Sequence, residues 1–229
     1  MVNYRSRRTS RRFLTHHLPL FVASVLSTAV LYQTRPYPDV LSRASFATAY
    51  PALILLVLTL LIGPWNVIRG QRNPVSSDLR RDIGIWAGIL SLIHAGVGQC
   101  VHLRGRPWLY YVYESKEEHL LPVRHDLFGL ANYSGLIASL VLIALLATSN
   151  DYSLRTLGTR QWKRLQRWNY LIFAITAIHA VAYLTVETQK ADFVITVAAC
   201  LLITIVLQAI GFRQRRQLEY RKNVQAPER

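Results

Sequence analysis

Six apolar runs, at roughly 13–33, 44–62, 83–103, 127–148, 168–186 and 193–212, divide the chain. About 20 predominantly apolar residues cross the hydrocarbon core of a bilayer, so each run predicts one membrane helix. The segments between the runs are short and polar. Pro36 and Pro38 break the first of these loops. Gly63-Pro64 predicts the end of the second helix, and Asn73-Pro74 marks the turn beyond it. The expected fold class is all-α, a polytopic membrane protein built as a six-transmembrane-helix bundle. Its expected parts are a basic tail 1–12, the bundle 13–212 and a basic tail 213–229. The runs occupy most of the 229 residues, so no nucleotide-binding domain is expected. No glycine-rich dinucleotide loop is present either.

Charge fixes the expected orientation. The formal net charge is +15, and 20 of the 27 Lys and Arg residues fall on one side of the predicted bundle. They lie in the two tails and in segments 63–82 and 149–167. The other side carries Arg35, Arg43, Arg104, Arg106, Lys116, Arg124 and Lys190. The positive-inside rule then places both termini in the cytoplasm, as an even number of spans requires. A basic face of this kind suits anionic lipid rather than nucleic acid. Ser10-Arg11-Arg12-Phe13-Leu14 has the look of a twin-arginine signal, but a cluster of arginines ahead of a first span is better read as a cytoplasmic anchor. Cys100 and Cys200 both lie in apolar runs and suggest neither a disulfide framework nor a zinc motif.

The chemistry concentrates on two histidines. His94 lies 12 residues after Asp82, the last charge before the third run, and His179 lies 12 residues after Arg167, the last before the fifth. The two helices run the same way, so at 1.5 Å per residue both imidazoles sit about 18 Å from the inner edge. An ionisable side chain at such depth is a functional candidate by default. Three readings follow: axial ligands of a haem, a proton or ion path, and hydrogen-bonded structural histidines. Gly84, Gly88, Ala95, Gly96 and Gly98 on the third helix, with Ala174, Ala177, Ala180 and Ala182 on the fifth, leave room for a flat macrocycle; they equally suit ordinary helix packing. His102 lies near the outer boundary, while His16 and His17 lie near the inner one. In the outer loop 104–126, Trp108, Tyr110, Tyr111 and Tyr113 read as an interfacial belt. Glu114, Glu117, Glu118, His119 and His125 read as a solvated loop, with a docking surface as the functional alternative.

Longer patterns carry a family resemblance. Arg80-Arg81, Gly84, Trp86 and His94 form the first. Leu146-Ala147-Thr148-Ser149, Leu157-Gly158, Trp162, Leu165, Tyr170 and His179 form the second. Over about residues 50–190 the chain resembles the ferric reductase-like transmembrane domain family, and within it the haem-binding membrane subunits of periplasmic methionine sulfoxide reductase systems.

The resemblance implies a haem b domain in the cell inner membrane with His94 and His179 as axial ligands of the iron. Such a low-spin haem suits electron transfer. His102, Arg104 and Arg106 are positional candidates for propionate contacts. The wider family often carries a second haem, ligated one helical stretch nearer the cytoplasm. Those positions here hold Arg80 or Arg81 and Gln166, so one haem is expected, on the outer side. An electron donor must then reach it from within or below the membrane: a quinol, or a flavin such as FMN carried by a cytoplasmic reductase. Arg155, Arg160, Lys163, Arg164 and Arg167 are the candidate face for a flavin phosphate. The expected acceptor is a protein at the outer face, which makes the chain an oxidoreductase component without its own flavin or nicotinamide domain. The alternatives are a direct ferric-chelate reductase and a non-redox transporter or assembly protein.

Overall fold

A computed structural model describes residues 10–34, 37–70, 78–103, 106–115, 119, 121–187 and 191–225. Pro36, Asn73-Pro74, Arg104, Lys116, Glu117 and Glu118 lie outside the described residues. Seven helices follow in order: α1 Leu18–Thr34, α2 Val40–Ile68, α3 Asp78–Gly98, α4 Leu127–Ala147, α5 Asp151–Gln166, α6 Asn169–Val186 and α7 Ala191–Gln225. A π-helical turn, Phe13–His17, leads into α1. A short 3-10 turn, Pro107–Tyr110, lies in the segment between α3 and α4. No strand forms among the described residues beyond an isolated bridge between Val112 and Val123.

Among the described residues, five helical stretches are long and apolar enough to cross a membrane: Ser10–Thr34, Val40–Ile68, Leu127–Ala147, Asp151–Val186 and Phe193–Arg221. The chain is therefore a multi-pass membrane protein. α3, the third predicted span, is not among the five. Its first five residues carry Asp78, Arg80, Arg81 and Asp82, and four glycines and His94 dilute the rest.

α2 is the central element and packs against α1, α3 and α7, while α4 packs against α3 and α6. Leu56, Ala87, Leu142, Leu145 and Ile172 join α2, α3, α4 and α6 in one buried cluster. Leu53 and Val57 meet Val197 of α7 in a second. The outward faces are apolar too, with Val30, Ile195 and Leu202 exposed, as lipid-facing helices require. α3 and α6, which carry the two histidines, share few contacts. α2 and α4 hold them apart.

Three sequence expectations are corrected. α2 does not end at Gly63-Pro64 but continues to Ile68 with Pro64 inside it. Proline removes the hydrogen bond to the carbonyl four residues back. That carbonyl, on Leu60, instead accepts from the Gln208 side-chain amide of α7 at 2.8 Å. The segment 149–167 is not an irregular loop. It forms α5, started by Asn150, whose side chain accepts from Ser153 N, and broken at Gly158, whose φ is +71°. Only a residue without a Cβ takes that conformation readily. Trp162 seals this segment to the bundle, buried and donating its indole N–H to the Thr148 carbonyl at 2.9 Å. Finally, Tyr110 is not interfacial but wholly buried. Its hydroxyl donates to the Gly98 carbonyl and accepts from His102 N, which caps the end of α3. The basic segment after residue 212 continues α7 as far as Gln225.

Candidate functional site

His94 on α3 and His179 on α6 meet across a cavity of about 660 Å³ within the bundle. Their ring centres are 6.1 Å apart and their planes are nearly perpendicular, at 80°. The matched depth read from the sequence does bring them together. Each ring is fixed by one backbone carbonyl. His94 Nδ1 lies 2.9 Å from the Ser45 oxygen of α2, and His179 Nδ1 lies 2.8 Å from the Ala131 oxygen of α4. A carbonyl only accepts, so each Nδ1 carries the proton and each neutral ring keeps its lone pair on Nε2. That is the ligating tautomer, held by the kind of outer partner that orients metal-binding imidazoles.

The residues present fit a group ligated by both rings. Metal–imidazole bonds are about 2 Å each, which leaves about 2 Å of the 6.1 Å separation for the two ring radii. Space beside His179 comes from Gly135 of α4, where a Cβ would fall 2.8 Å from Nδ1 and 2.9 Å from Cε1. The cavity walls are apolar around Leu53, Leu56, Leu142 and Ile172 and polar around Gln99, His102, Tyr111 and Glu187. Tyr183, one turn beyond His179, packs on its ring at 5.0 Å and donates its hydroxyl to Asn132 Oδ1 at 2.8 Å. His102 Nε2 lies 3.0 Å from Glu187 Oε1, joining the ends of α3 and α6 at the cavity mouth.

The other sequence candidates separate. His102 lines the cavity. Arg106 does not, and it pairs with Glu114 in the outer loop. Arg104 is outside the described residues. Of the five basic residues on the opposite side, Lys163 and Arg167 line a second cavity of about 320 Å³, together with Arg80, Arg81 and Arg215. Arg155, Arg160 and Arg164 lie on the exposed surface of α5 and do not line it. Gln166, in that second cavity, bonds Ser149 Oγ at 3.3 Å. His119 stacks on Tyr113 at 3.5 Å and His125 lies edge-on to the same ring. Among the described residues no cluster of three or more His, Cys, Asp or Glu side chains forms a metal site.

Sequence reasoning missed the partners of the histidines, because Ser45 and Ala131 act through backbone oxygens. It also missed Asp82, which is completely buried near the N-terminal end of α3. Arg12, His16 and His17 all converge on its carboxylate, with His16 Nδ1 at 2.7 Å and His17 Nε2 at 3.4 Å. The π-helical turn Phe13–His17 presents these consecutive histidines to one acceptor. The available signal was a lone aspartate bordering an apolar run, opposite an Arg-x-x-x-His-His segment.

No family model matches the chain. Among curated proteins it is 30% identical over 168 residues to the protein-methionine-sulfoxide reductase heme-binding subunit MsrQ of Pectobacterium atrosepticum, which covers 73% of this chain and 75% of that one. It is 29% identical over 133 residues to the subunits of the same name from Yersinia pseudotuberculosis and Yersinia pestis. Those matches cover 58% of this chain and 58% and 57% of theirs. With one relative at this identity matched over three quarters of its length, the chain belongs to the MsrQ family.

Proposed function

We propose that this chain is a haem b electron carrier, the membrane subunit of a methionine sulfoxide reductase system, with His94 and His179 as the axial ligands. The observation that carries the proposal is the pair of Nδ1 hydrogen bonds to the Ser45 and Ala131 carbonyls, which leaves both Nε2 lone pairs for one metal ion. The names of its relatives, heme-binding subunits, support the same cofactor. Bound haem supplies one-electron chemistry without a bond-making step. The chain's own residues do the rest. The two carbonyls fix the ligand tautomers and raise their basicity. Gly135 admits the His179 ring, and the cavity walls exclude water. Tyr111, His102 and Gln99 form the polar outer end, where propionates would lie.

One haem on the outer side is favoured. No imidazole lines the inner cavity, the Gln166 amide is bonded to Ser149, and Arg80 Nε donates to the Thr59 carbonyl at 2.9 Å. α3 is the sixth span. Both termini lie in the cytoplasm, as the distribution of cations favours, in the inner membrane. The donor is a quinol or a cytoplasmic flavin carrier such as a flavin reductase, and the acceptor is a protein at the outer face. Arg155, Arg160 and Arg164 stand on the surface that a soluble donor would meet, with Lys163 and Arg167 lining the second cavity. Lipid covers the apolar faces, and nucleic acid has no part.

The test is pyridine haemochrome quantification on purified protein from haem-replete cells. One b-type haem per chain is expected. A colourless, folded protein would end the electron-carrier reading, and two haems per chain would end the single-site reading.

A further inference from the structure

The inner cavity is built for an anion. It lies where α2 and α4 end, α3 begins, α5 passes into α6, and α7 turns from apolar to basic. Arg80, Arg81, Lys163, Arg167 and Arg215 line it, and no Asp or Glu among the described residues does. Arg81 has carboxylate partners in Asp78 and Asp151. No carboxylate of the described residues pairs with Lys163, Arg167 or Arg215. Several cations around one half-enclosed space repel one another unless an anion sits among them.

The surroundings select the kind of anion. The walls on the membrane side are apolar, including Leu142, Leu146 and Phe212. Phe212, Trp65 and Tyr170 are exposed at the same end of the bundle, and Trp168 stands beside them. Exposed aromatics beside a change from apolar to basic sequence mark headgroup level. The cavity thus opens both to the polar boundary and to the hydrocarbon.

We propose that this cavity binds the phosphate headgroup of an anionic phospholipid, held by Lys163, Arg167 and Arg215, with its acyl chains along the apolar wall. The site is separate from the haem proposal and stands or falls by itself. It explains why Lys163 and Arg167 at the end of α5 share one space with Arg215 of α7, far away in sequence. It also gives the bound lipid a structural role, since it would tie α7 to the α5–α6 junction.

The experiment uses the full chain in nanodiscs, comparing phosphatidylglycerol with phosphatidylcholine, and native mass spectrometry of the detergent-purified protein. The first variant is Lys163→Gln/Arg167→Gln/Arg215→Gln. The control is Arg155→Gln/Arg160→Gln/Arg164→Gln, which removes the same charge from the exposed surface. Circular dichroism and gel filtration show that each is folded. Wild type should retain phosphatidylglycerol in preference to phosphatidylcholine. The cavity variant should lose that preference by about five-fold for each cation removed, because each one lies against the bound phosphate. The control should keep it. Equal loss in both variants would reduce the effect to general surface charge and overturn the site. So would a cavity variant with wild-type retention, or a phosphate-bearing flavin eluting from the site in place of lipid.

Discussion

Gly135 of α4 faces the imidazole of His179 so closely that a Cβ at this position would lie 2.8 Å from Nδ1 and 2.9 Å from Cε1. Neither distance is tolerated without movement, and the same Nδ1 is tied to the Ala131 carbonyl one turn earlier on the same helix. Gly135→Ala should therefore displace the ring or stretch that bond. Overpacking of this kind costs about 1–3 kcal/mol. The expected result is lower haem occupancy with near-wild-type helix content. Haem per chain set against circular dichroism checks it, and full occupancy in Gly135→Ala would show that the ring has slack.

What the sequence revealed of this site was the pairing of His94 with His179. Counting 12 residues from Asp82 and from Arg167 predicts the two histidines level, and their rings do meet at 6.1 Å. What it hid was whatever acts through the backbone or across helices. The Ser45 and Ala131 carbonyls have no side-chain signature. Pro64 reads locally as a helix end, because its lost hydrogen bond is replaced only by Gln208, 148 residues away from Leu60. The segment after Asn150 looked like a loop because its charged residues mask an amphipathic helix whose single deep anchor is Trp162. Asp82 could be used as a boundary marker, but nothing local announced that Arg12, His16 and His17 would converge on it.

The Gln208–Leu60 bond makes a quantitative case. Gln208→Leu leaves the Leu60 carbonyl without its partner and should destabilise the bundle by about 1–2 kcal/mol. Pro64→Ala restores an N–H able to reach that carbonyl, so Gln208→Leu should cost much less in that background. Thermal unfolding of the two single variants and the double variant in detergent measures the coupling. Additive effects would mean that the Gln208 amide does not substitute for the missing backbone donor.

Asp82 is wholly buried and pairs with the Arg12 guanidinium. Breaking such a pair by removing one partner costs about 3–5 kcal/mol, because the other charge is left behind. Asp82→Ala should show that loss and should release the N-terminal turn. Protease sensitivity at Arg11 and Arg12, with unfolding measured in parallel, reports both. A variant with wild-type stability and an equally protected N-terminus would mean that the cluster does not anchor α1.

Acid sensitivity should arise in part at the N-terminal end of α4. Asp126 caps this helix, accepting from Gly129 N at 2.7 Å, and pairs with Arg124 at 2.5 Å. The Arg124 side chain, followed by the cap bond, holds the Asp126 carboxyl below its ordinary value. A group with a depressed folded-state pKa contributes stability above its unfolded pKa, and that contribution is lost as pH falls through the folded pKa. The loss should thus set in below about pH 4. Asp126→Ala should cost about 1 kcal/mol at neutral pH, as loss of an N-cap does. Its stability should also fall less than that of wild type on acidification. Parallel pH profiles of wild type and Asp126→Ala would contradict this assignment.

The ligand pair itself is tested most directly by electron paramagnetic resonance of the oxidised, purified protein, compared with His94→Ala and His179→Ala. Wild type should give a low-spin ferric signal of the kind two axial imidazoles produce. Either substitution should abolish it, leaving a high-spin signal or no haem. An unchanged low-spin signal in either variant would contradict the assignment, since the iron would then hold a ligand other than the paired histidines of α3 and α6.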